Sequence, residues 1–321
     1  MELEGRTLAV TGVGGFIGRR AVERALARGM RVRGLDLRVD GVADLEVDAR
    51  AGDVTDPEAA AWLADGADAL LHAAAVVRED GPRALYERVN VGGTRTVARA
   101  AARAAVPRVI HLSSVMVYGF DFPDGVTEEG PFPSRETNPY VVTKLRSEGV
   151  AMAAHRRGTE VTILRPGDVY GAGSVPWVIR PLELMRQGLF VLPGAGDGIF
   201  NHLHVDNLID AAFSALERDV SGVPINVTDG ARTTFRAYFE ALAATAGLPP
   251  PRHAPAALLG PAFGLLEAGF RAVGREPPAR RAALDFLRRP GAYGIERARA
   301  LLGYTPRIDL EAGLAALRCE L

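Results

Sequence analysis

The sequence predicts an α/β fold: a doubly wound parallel sheet followed by a smaller, mostly helical C-terminal lobe. Three observations predict it. Short apolar runs alternate with helical stretches as far as Arg165. The first run, Leu8-Ala9-Val10, opens into a turn with Gly12, Gly15 and Gly18 spaced three apart, and a helical stretch follows. After Arg165 proline and glycine become frequent and the regular alternation stops.

Taken in order, the strand-like runs are Thr7–Thr11, Arg31–Leu35, a weak one around Glu46–Gly52, then Ala69–His72, Val109–Ser113 and Val161–Leu164. Runs rich in valine, leucine and isoleucine suit parallel strands buried on both faces. Helical stretches fall between them at Gly15–Arg28, Pro57–Ala64, Pro82–Ala105 and Asn138–Arg157. Strand–helix alternation of this kind gives the Rossmann arrangement. Beyond it, helical pieces are expected at Val178–Arg186, Val205–Glu217, Phe235–Ala246 and Ile295–Leu302, with short strands at Leu189–Leu192 and Pro224–Val227. The expected division is residues 1–170 for a dinucleotide-binding domain, joined again by segments near 199–228, and residues 171–321 for an interleaved substrate-binding lobe.

Composition narrows the function classes. At 321 residues the chain is long enough for a large core, and 48% hydrophobic with 24% charged residues is ordinary for a globular protein. A formal net charge of −1, with no basic patch interleaved with aromatics, argues against a nucleic-acid partner. Cys319 is the only cysteine, so no internal disulfide forms, and no Cys/His cluster has metal-ligand spacing. No metal is expected, and the compartment read from this usage is reducing, hence cytoplasmic. The first strand begins within a few residues of Met1, leaving no room for a signal peptide. The apolar stretch Ala256–Val273 is broken by Gly260, Pro261, Gly264 and Gly269 and carries Glu267 and Arg271. It does not read as a membrane span of about 20 apolar residues; no membrane insertion is expected.

The candidate chemistry builds on the glycine turn. Gly12, Gly15 and Gly18 let the backbone turn sharply and approach a pyrophosphate, which the following helix N-terminus favours. Such a triplet alone is weak evidence; between a strand and a helix it is the expected context. Asp36 ends the second strand at the interval where an acidic residue reaches a ribose. Its carboxylate accepts from both hydroxyls and repels a 2′-phosphate, favouring NAD over NADP, although Arg38 is a cation two residues on. Asp53 is placed to accept from an adenine amino group, and Asp56 before Pro57 is a helix cap. Tyr140 and Lys144, four apart after Asn138-Pro139, share one helix face. An adjacent ammonium is expected to lower the phenol pKa into a range useful for proton transfer. His111-Leu112-Ser113-Ser114 ends the fifth strand, where a serine hydroxyl can hold a substrate oxygen beside the tyrosine.

At this point the sequence resembles the extended short-chain dehydrogenases/reductases, which include nucleotide-sugar epimerases and dehydratases and the 3-beta-hydroxysteroid dehydrogenase type. The resemblance covers nearly the whole chain. Its motifs are Thr11-Gly12-x-x-Gly15-x-x-Gly18, Gly52-Asp53-Val54, His72-Ala73-Ala74-Ala75, Asn90-x-Gly92-Gly93-Thr94, Ser113-Ser114-x-x-Val117-Tyr118-Gly119, Pro139-Tyr140-x-x-x-Lys144-x-x-x-Glu148, Arg165-Pro166-x-x-Val169-Tyr170-Gly171, His204-Val205-Asp206-Asn207 and Leu302-Gly303-Tyr304-x-Pro306. It implies that Ser114, Tyr140 and Lys144 are the catalytic residues. It also implies cofactor contacts at Gly12, Gly15, Phe16, Ile17, Asp36, Asp53, Val54, Ala73, Ala74, Ala75, Asn90 and Pro166, with Lys144 gripping the ribose. Family habit implies a homodimer through Pro82–Ala105 and Asn138–Arg157.

Two departures bear on substrate. Phe200 stands where nucleotide-sugar members carry a diphosphate-binding arginine, and Asp168 stands where they carry asparagine. Arg180, Arg186, Arg275, Arg280 and Arg281 are the cations left to compensate. Met116, two residues past Ser114, is expected to face the substrate as adaptable apolar lining. The apolar Leu258–Val273 segment resembles the substrate-lobe helix of the hydroxysteroid type. The expected function is therefore an NAD-dependent oxidoreductase that interconverts a secondary alcohol and a ketone on a partly apolar small molecule. The alternative is a nucleotide-sugar epimerase or dehydratase that recycles its NAD.

Overall fold

A computed structural model describes residues 2–77, 81–272 and 282–318. Six strands alternate with helices in the first half: β1 Thr7–Thr11, α1 Phe16–Leu26, β2 Arg31–Asp36, β3 Asp48–Ala51, α2 Pro57–Ala64, β4 Ala69–His72, α3 Arg83–Tyr86, α4 Thr94–Arg103, β5 Arg108–Leu112, α5 Pro139–His155 and β6 Val161–Pro166. The second half runs β7 Asp168–Tyr170, α6 Arg180–Arg186, β8 Val191–Pro193, β9 Ile199–Phe200, β10 His202–His204, α7 Val205–Glu217, β11 Pro224–Val227, β12 Thr233–Thr234, α8 Phe235–Thr245, β13 Arg252–Ala254, α9 Ala256–Ala272, α10 Ala282–Phe286, α11 Glu296–Leu302 and α12 Leu310–Leu317.

The main sheet is parallel throughout, in the order β11-β6-β5-β4-β1-β2-β3. Strand order reverses between β1 and β4, the switch point where a crevice opens at the carboxyl ends of an α/β sheet. Every residue of β4 and β6 is buried, which is why those runs are apolar without alternation. Strand β3 lies at the sheet edge with three of its four residues exposed, hence its weak pattern. One face of the sheet is covered by α1, α7 and α11, the other by α2, α4 and α5.

Helix termini follow the local sequence. The Asp56 carboxylate accepts from the Glu58 N–H with Pro57 in the first turn of α2. Asn138 does the same for α5, accepting from Tyr140 N at 2.9 Å and Val141 N at 3.3 Å. His204 caps α7 by accepting from Asp206 N at 3.2 Å. The stretch Pro82–Ala105 is not one regular helix. Between α3 and α4 it widens into a π-type segment, Glu87–Gly93, which contains Asn90. Such widenings recur at functional sites, and this one lets Asn90 reach the backbone of Val76.

Of the stretch 199–228, α7 and β11 return to the main sheet. Residues Ile199–Phe200 and His202–His204 instead make two-stranded ladders with β12 and β7. The second half packs a separate apolar cluster that includes Leu182, Phe200, Phe235, Tyr238, Phe239 and Leu314. Helix α9 runs through Gly260 and Pro261, which the sequence reads as breaks. It is not a buried helix: Leu258 and Leu265 are 66% and 76% exposed, while Leu259 is buried. Val273, Arg275, Arg280, Arg281 and Cys319 lie outside the described residues. Among the described residues no helix is long and apolar enough to cross a membrane, and no cluster of His, Cys, Asp and Glu could hold a metal.

Two charged systems fix the helices that matter for the site. On α5, Glu148 makes a buried bidentate pair with Arg165 of β6, at 2.9 and 2.8 Å, and accepts from Ser113 at 2.5 Å. The same arginine donates to Tyr118 Oη at 2.7 Å and to the Glu128 carbonyl at 3.0 Å. Helix α1 is tied to α7 by Arg20 on Asp206, at 2.5 and 2.8 Å, and by Arg24 on Asp210 at 2.7 Å. The exposed members of such ladders contribute little singly; the buried pair is different, because removing one partner strands a charge. Glu148→Ala is accordingly expected to lower the unfolding free energy by about 3–5 kcal/mol. Urea denaturation checks this, and a loss under about 1 kcal/mol contradicts it.

Candidate active site

The glycine turn is built to bring backbones together. A side chain on Gly18 would put its Cβ 1.9 Å from the Gly12 carbonyl oxygen, inside the turn itself. Gly12 holds φ +73° and lies against Ala73 and Ala74, so a Cβ there would meet Ala74 N at 2.9 Å. Gly14, which the three-apart spacing passes over, is equally constrained: its Cβ would meet the Arg38 carbonyl oxygen at 2.5 Å. The Gly14-Gly15 doublet is the available signal. Gly15 caps α1 without a side-chain acceptor, which leaves the orphan N–H groups of the helix start for a ligand.

Beside the turn, a cleft of about 400 Å³ is lined by Gly14, Gly15, Asp36, Arg38, Asp40 and Gly41. Asp36 is held across its mouth by the N–H groups of Gly14 at 3.1 Å and Arg38 at 3.3 Å. A glycine cradle, an uncapped helix start and an acidic residue at the rim fit a dinucleotide with free ribose hydroxyls. Asp53 stands close by with both oxygens engaged, one by Thr55 at 2.9 Å and the other by Arg88 at 2.8 Å. Burial works against the charge of Asp53, but the Thr55 and Arg88 bonds outweigh it and keep the carboxyl below its ordinary value. Val54 is buried against Gly93, and the ring of Phe16 packs near Gly171 and Gly173. Ile17 packs on the sheet core, and Pro166 ends β6 at the rim.

Ala73, Ala74 and Ala75 follow β4 and are held from below. Thr11 Oγ1 accepts from Ala73 N and Ala74 N, both at 3.1 Å. Asn90 grips the same loop two residues on, accepting from Val76 N at 2.7 Å and donating to the Val76 carbonyl at 3.2 Å. These bonds make Asn90 a brace behind the loop. Thr94 donates to the Asn90 carbonyl at 2.6 Å, so its oxygen accepts from His72 Nε2 at 3.0 Å. Thr11 then donates to His72 Nδ1 at 2.7 Å. The network therefore requires neutral His72 protonated at Nε2, and burial with the nearby Lys144 charge pushes its pKa down to about 3.

Ser114, Tyr140 and Lys144 come together at the ends of β5 and α5. Ser114 starts a short 3₁₀ turn, Val115–Tyr118, by accepting from Met116 N at 3.1 Å. The Tyr140 hydroxyl is its neighbour, close enough for the Ser114 hydroxyl to favour the phenolate. The buried Lys144 ammonium donates to the Leu112 carbonyl at 2.8 Å and lies 5.8 Å from the centre of the Tyr140 ring. The expected lowering of the phenol pKa is not what the structure gives. Burial dominates and pushes Tyr140 up to about 12, with the Ser114 bond pulling the other way. Lys144 is the group that moves into the working range: burial lowers it to about 8, against the attraction of Glu148. His111, stacked on His72 at 5.4 Å, donates to Ser147 at 3.0 Å and is held well below its ordinary pKa by burial, His72 and Lys144.

The substrate-side expectations are corrected by packing. Phe200 is fully enclosed, 4.0 Å from the ring of Tyr238 in the lobe core. Asp168 is buried against Asn201 N at 3.0 Å and in an ion pair with Arg289, a residue the sequence reading missed. Its carboxylate is therefore already balanced, and burial, the larger effect, raises its pKa. Nothing in Arg288-Arg289-Pro290 marks the second arginine as wholly buried. Arg180 and Arg186 are exposed on α6, and Met116 is buried beside Ser114.

Two buried neutral histidines have a consequence for stability. Between pH 6.5 and about 3 the unfolded chain binds a proton at His72 that the folded chain refuses, and His111, held well below its ordinary value, acts in the same direction, so acidification destabilises. The unfolding free energy is expected to fall as pH drops below 6.5, by up to about 1.4 kcal/mol per pH unit for each histidine. Urea denaturation at pH 7, 6 and 5 reads it, and a flat response contradicts it.

Comparison with known proteins agrees with this geometry. The sequence profile of the NAD dependent epimerase/dehydratase family matches residues 8–228. A 4-hydroxy-2-methyl-3-oxo-4-farnesyl-3,4-dihydroquinoline-1-oxide ketoreductase of Stigmatella aurantiaca is 30% identical over 96% of this chain and 95% of its own length. A 3 beta-hydroxysteroid dehydrogenase/Delta 5→4-isomerase of Mycobacterium tuberculosis is 27% identical over 97% of this chain and 88% of its own. Among solved structures, MoeE5 in complex with UDP-glucose and NAD superposes with a TM-score of 0.75 at 26% identity, covering 98% of this chain and 97% of that one. The chain belongs to the NAD-dependent epimerase/dehydratase family, within the extended short-chain dehydrogenases/reductases.

Proposed function

We propose that this protein is an NAD-dependent oxidoreductase that interconverts a ketone and a secondary alcohol on a partly apolar small molecule, released after each turnover. The observation that carries the reading is the Ser114–Tyr140–Lys144 constellation beside the glycine cradle. The ketoreductase and hydroxysteroid dehydrogenase relatives favour it over the epimerase alternative. We assign cofactor binding to residues 1–170, through Gly12, Gly15, Asp36, Arg38 and Asp53 among others, and substrate binding to the lobe within 171–321. The single cysteine supports a cytoplasmic setting. We further propose a homodimer through the outer faces of α4 and α5; a monomeric mass by light scattering overturns that assignment.

When bound, NAD supplies the hydride acceptor in one direction and the hydride donor in the other. The chain itself handles the proton. Ser114 holds the substrate oxygen beside the Tyr140 hydroxyl. In ketone reduction the phenol gives its proton to that oxygen, and the phenolate left behind is stabilised by the Lys144 ammonium. In alcohol oxidation the same proton returns to Tyr140.

With Tyr140 near 12 and Lys144 near 8, the group that titrates in the working range is Lys144. The phenol stays protonated through neutral and mildly alkaline pH, while the ammonium is lost as pH rises through about 8. Ketone reduction is therefore expected to be level below pH 7 and to fall above 8, read as kcat/KM for NADH oxidation; a level profile to pH 10 contradicts it. Incubation with NADH and a long-chain ketone is expected to consume NADH in step with alcohol formed. An epimerised product from a UDP-sugar, with no net change in NADH, supports the alternative instead.

A further inference from the structure

The lobe core closes its aromatic rings almost completely: Phe200, Phe235 and Tyr238 are fully buried and Phe239 is 1% exposed. Among the rings at its margin that are only partly buried are Trp177, Phe286 and Phe120. Phe286 ends α10 and packs on Trp177 at 5.2 Å. The guanidinium of buried Arg289, itself paired with Asp168, lies 3.8 Å from the centre of the Phe286 ring and fixes it as a cation–π contact.

Phe120 comes from the other side of the site. It follows Gly119, which closes the turn that begins at Ser114. An ideal Cβ on Gly119 would lie 3.4 Å from Glu136 and Pro133, so this segment runs along the loop that leads into Asn138 and Tyr140. Phe120 belongs to none of the buried apolar clusters among the described residues. Its ring crosses to the lobe and meets Phe286 edge-on at 6.3 Å. A part-exposed ring joined directly to the turn of the catalytic serine thus faces a second ring anchored from behind, and the two have the form of a jaw.

We propose that Phe120 and Phe286, backed by Trp177, are the specificity-determining pair that grips the apolar part of the substrate next to its reacting carbonyl. This rests on the ketoreductase reading above and adds the substrate class: ketones carrying an apolar chain or ring on the carbonyl carbon, which replaces the edge contact between the two rings with its own.

The chain has two tryptophans, so Trp62→Phe leaves Trp177 as the sole indole reporter at the pair. With NAD present, so that no turnover occurs, titration of 2-undecanone into this background is expected to give a saturable change in Trp177 emission. Phe286→Ala and Phe120→Ala are each expected to weaken the ketone Kd about tenfold, and Phe286→Tyr, which keeps the ring, to hold it within about twofold. Phe120→Ala removes a part-exposed ring outside the cores, so it reads the jaw even where Phe286→Ala disturbs the lobe. Unchanged Kd in both alanine variants, or no saturable response in the background protein, overturns the proposal. Saturable binding that the alanine variants weaken, in a protein that oxidises no NADH with the same ketone, supports the jaws and overturns the ketoreductase reading instead.

Discussion

The buried pair of Glu148 and Arg165 is the constraint on which the site depends. Tyr140, Lys144 and Glu148 are spaced four apart on one face of α5, so fixing the third fixes the other two. Arg165 carries that constraint into β6, and Ser113 carries it into the end of β5 beside Ser114. Through Tyr118, the arginine also holds the turn that starts at Ser114. One carboxylate thus sets the position of a phenol, a cation and a serine hydroxyl that come from two different elements. It also supplies the attraction that works against deprotonation of Lys144.

Charge is rationed in the space around that helix. Lys144, His72 and His111 lie within electrostatic reach of one another in a buried region. Burial and mutual repulsion leave the two histidines neutral and Lys144 as the cation among them. His72 then serves as scaffold: its tautomer is dictated by Thr11 and Thr94, and through Thr11 it holds the loop of Ala73 and Ala74 under Gly12. The glycine cradle and the Ser114–Tyr140–Lys144 cluster are therefore parts of one hydrogen-bonded floor, continued from Thr94 through Asn90 to Thr143 on α5.

Much of this was legible in the sequence because local rules agree with the fold. The caps at Asp56 and Asn138, the buried runs of β4 and β6, and the glycine turn each state their role within a few residues. The face shared by Tyr140 and Lys144 follows from helical spacing alone. What was not legible depends on long-range neighbours. One adjacent cation predicts a lowered Tyr140 pKa, whereas burial is the larger influence and raises it. Asp168 reads as a bare carboxylate until Arg289 arrives from more than a hundred residues away to neutralise it. Phe200 reads as a missing cation at a pocket wall, yet the lobe uses it as a central core ring. The π-type segment around Asn90 is not legible either, since the Val76 backbone that it lets Asn90 reach lies in the loop after β4.

The central claim is that the Tyr140 hydroxyl moves the proton while the rest of the site only positions and binds. Tyr140→Phe removes that oxygen and leaves the ring in place, so NADH-dependent reduction of an apolar ketone is expected to lose about three orders of magnitude in kcat. NADH affinity, measured by fluorescence titration of the same variant, is expected to stay within about twofold, because the glycine cradle and Asp36 are untouched. Near-normal turnover in Tyr140→Phe would contradict the account.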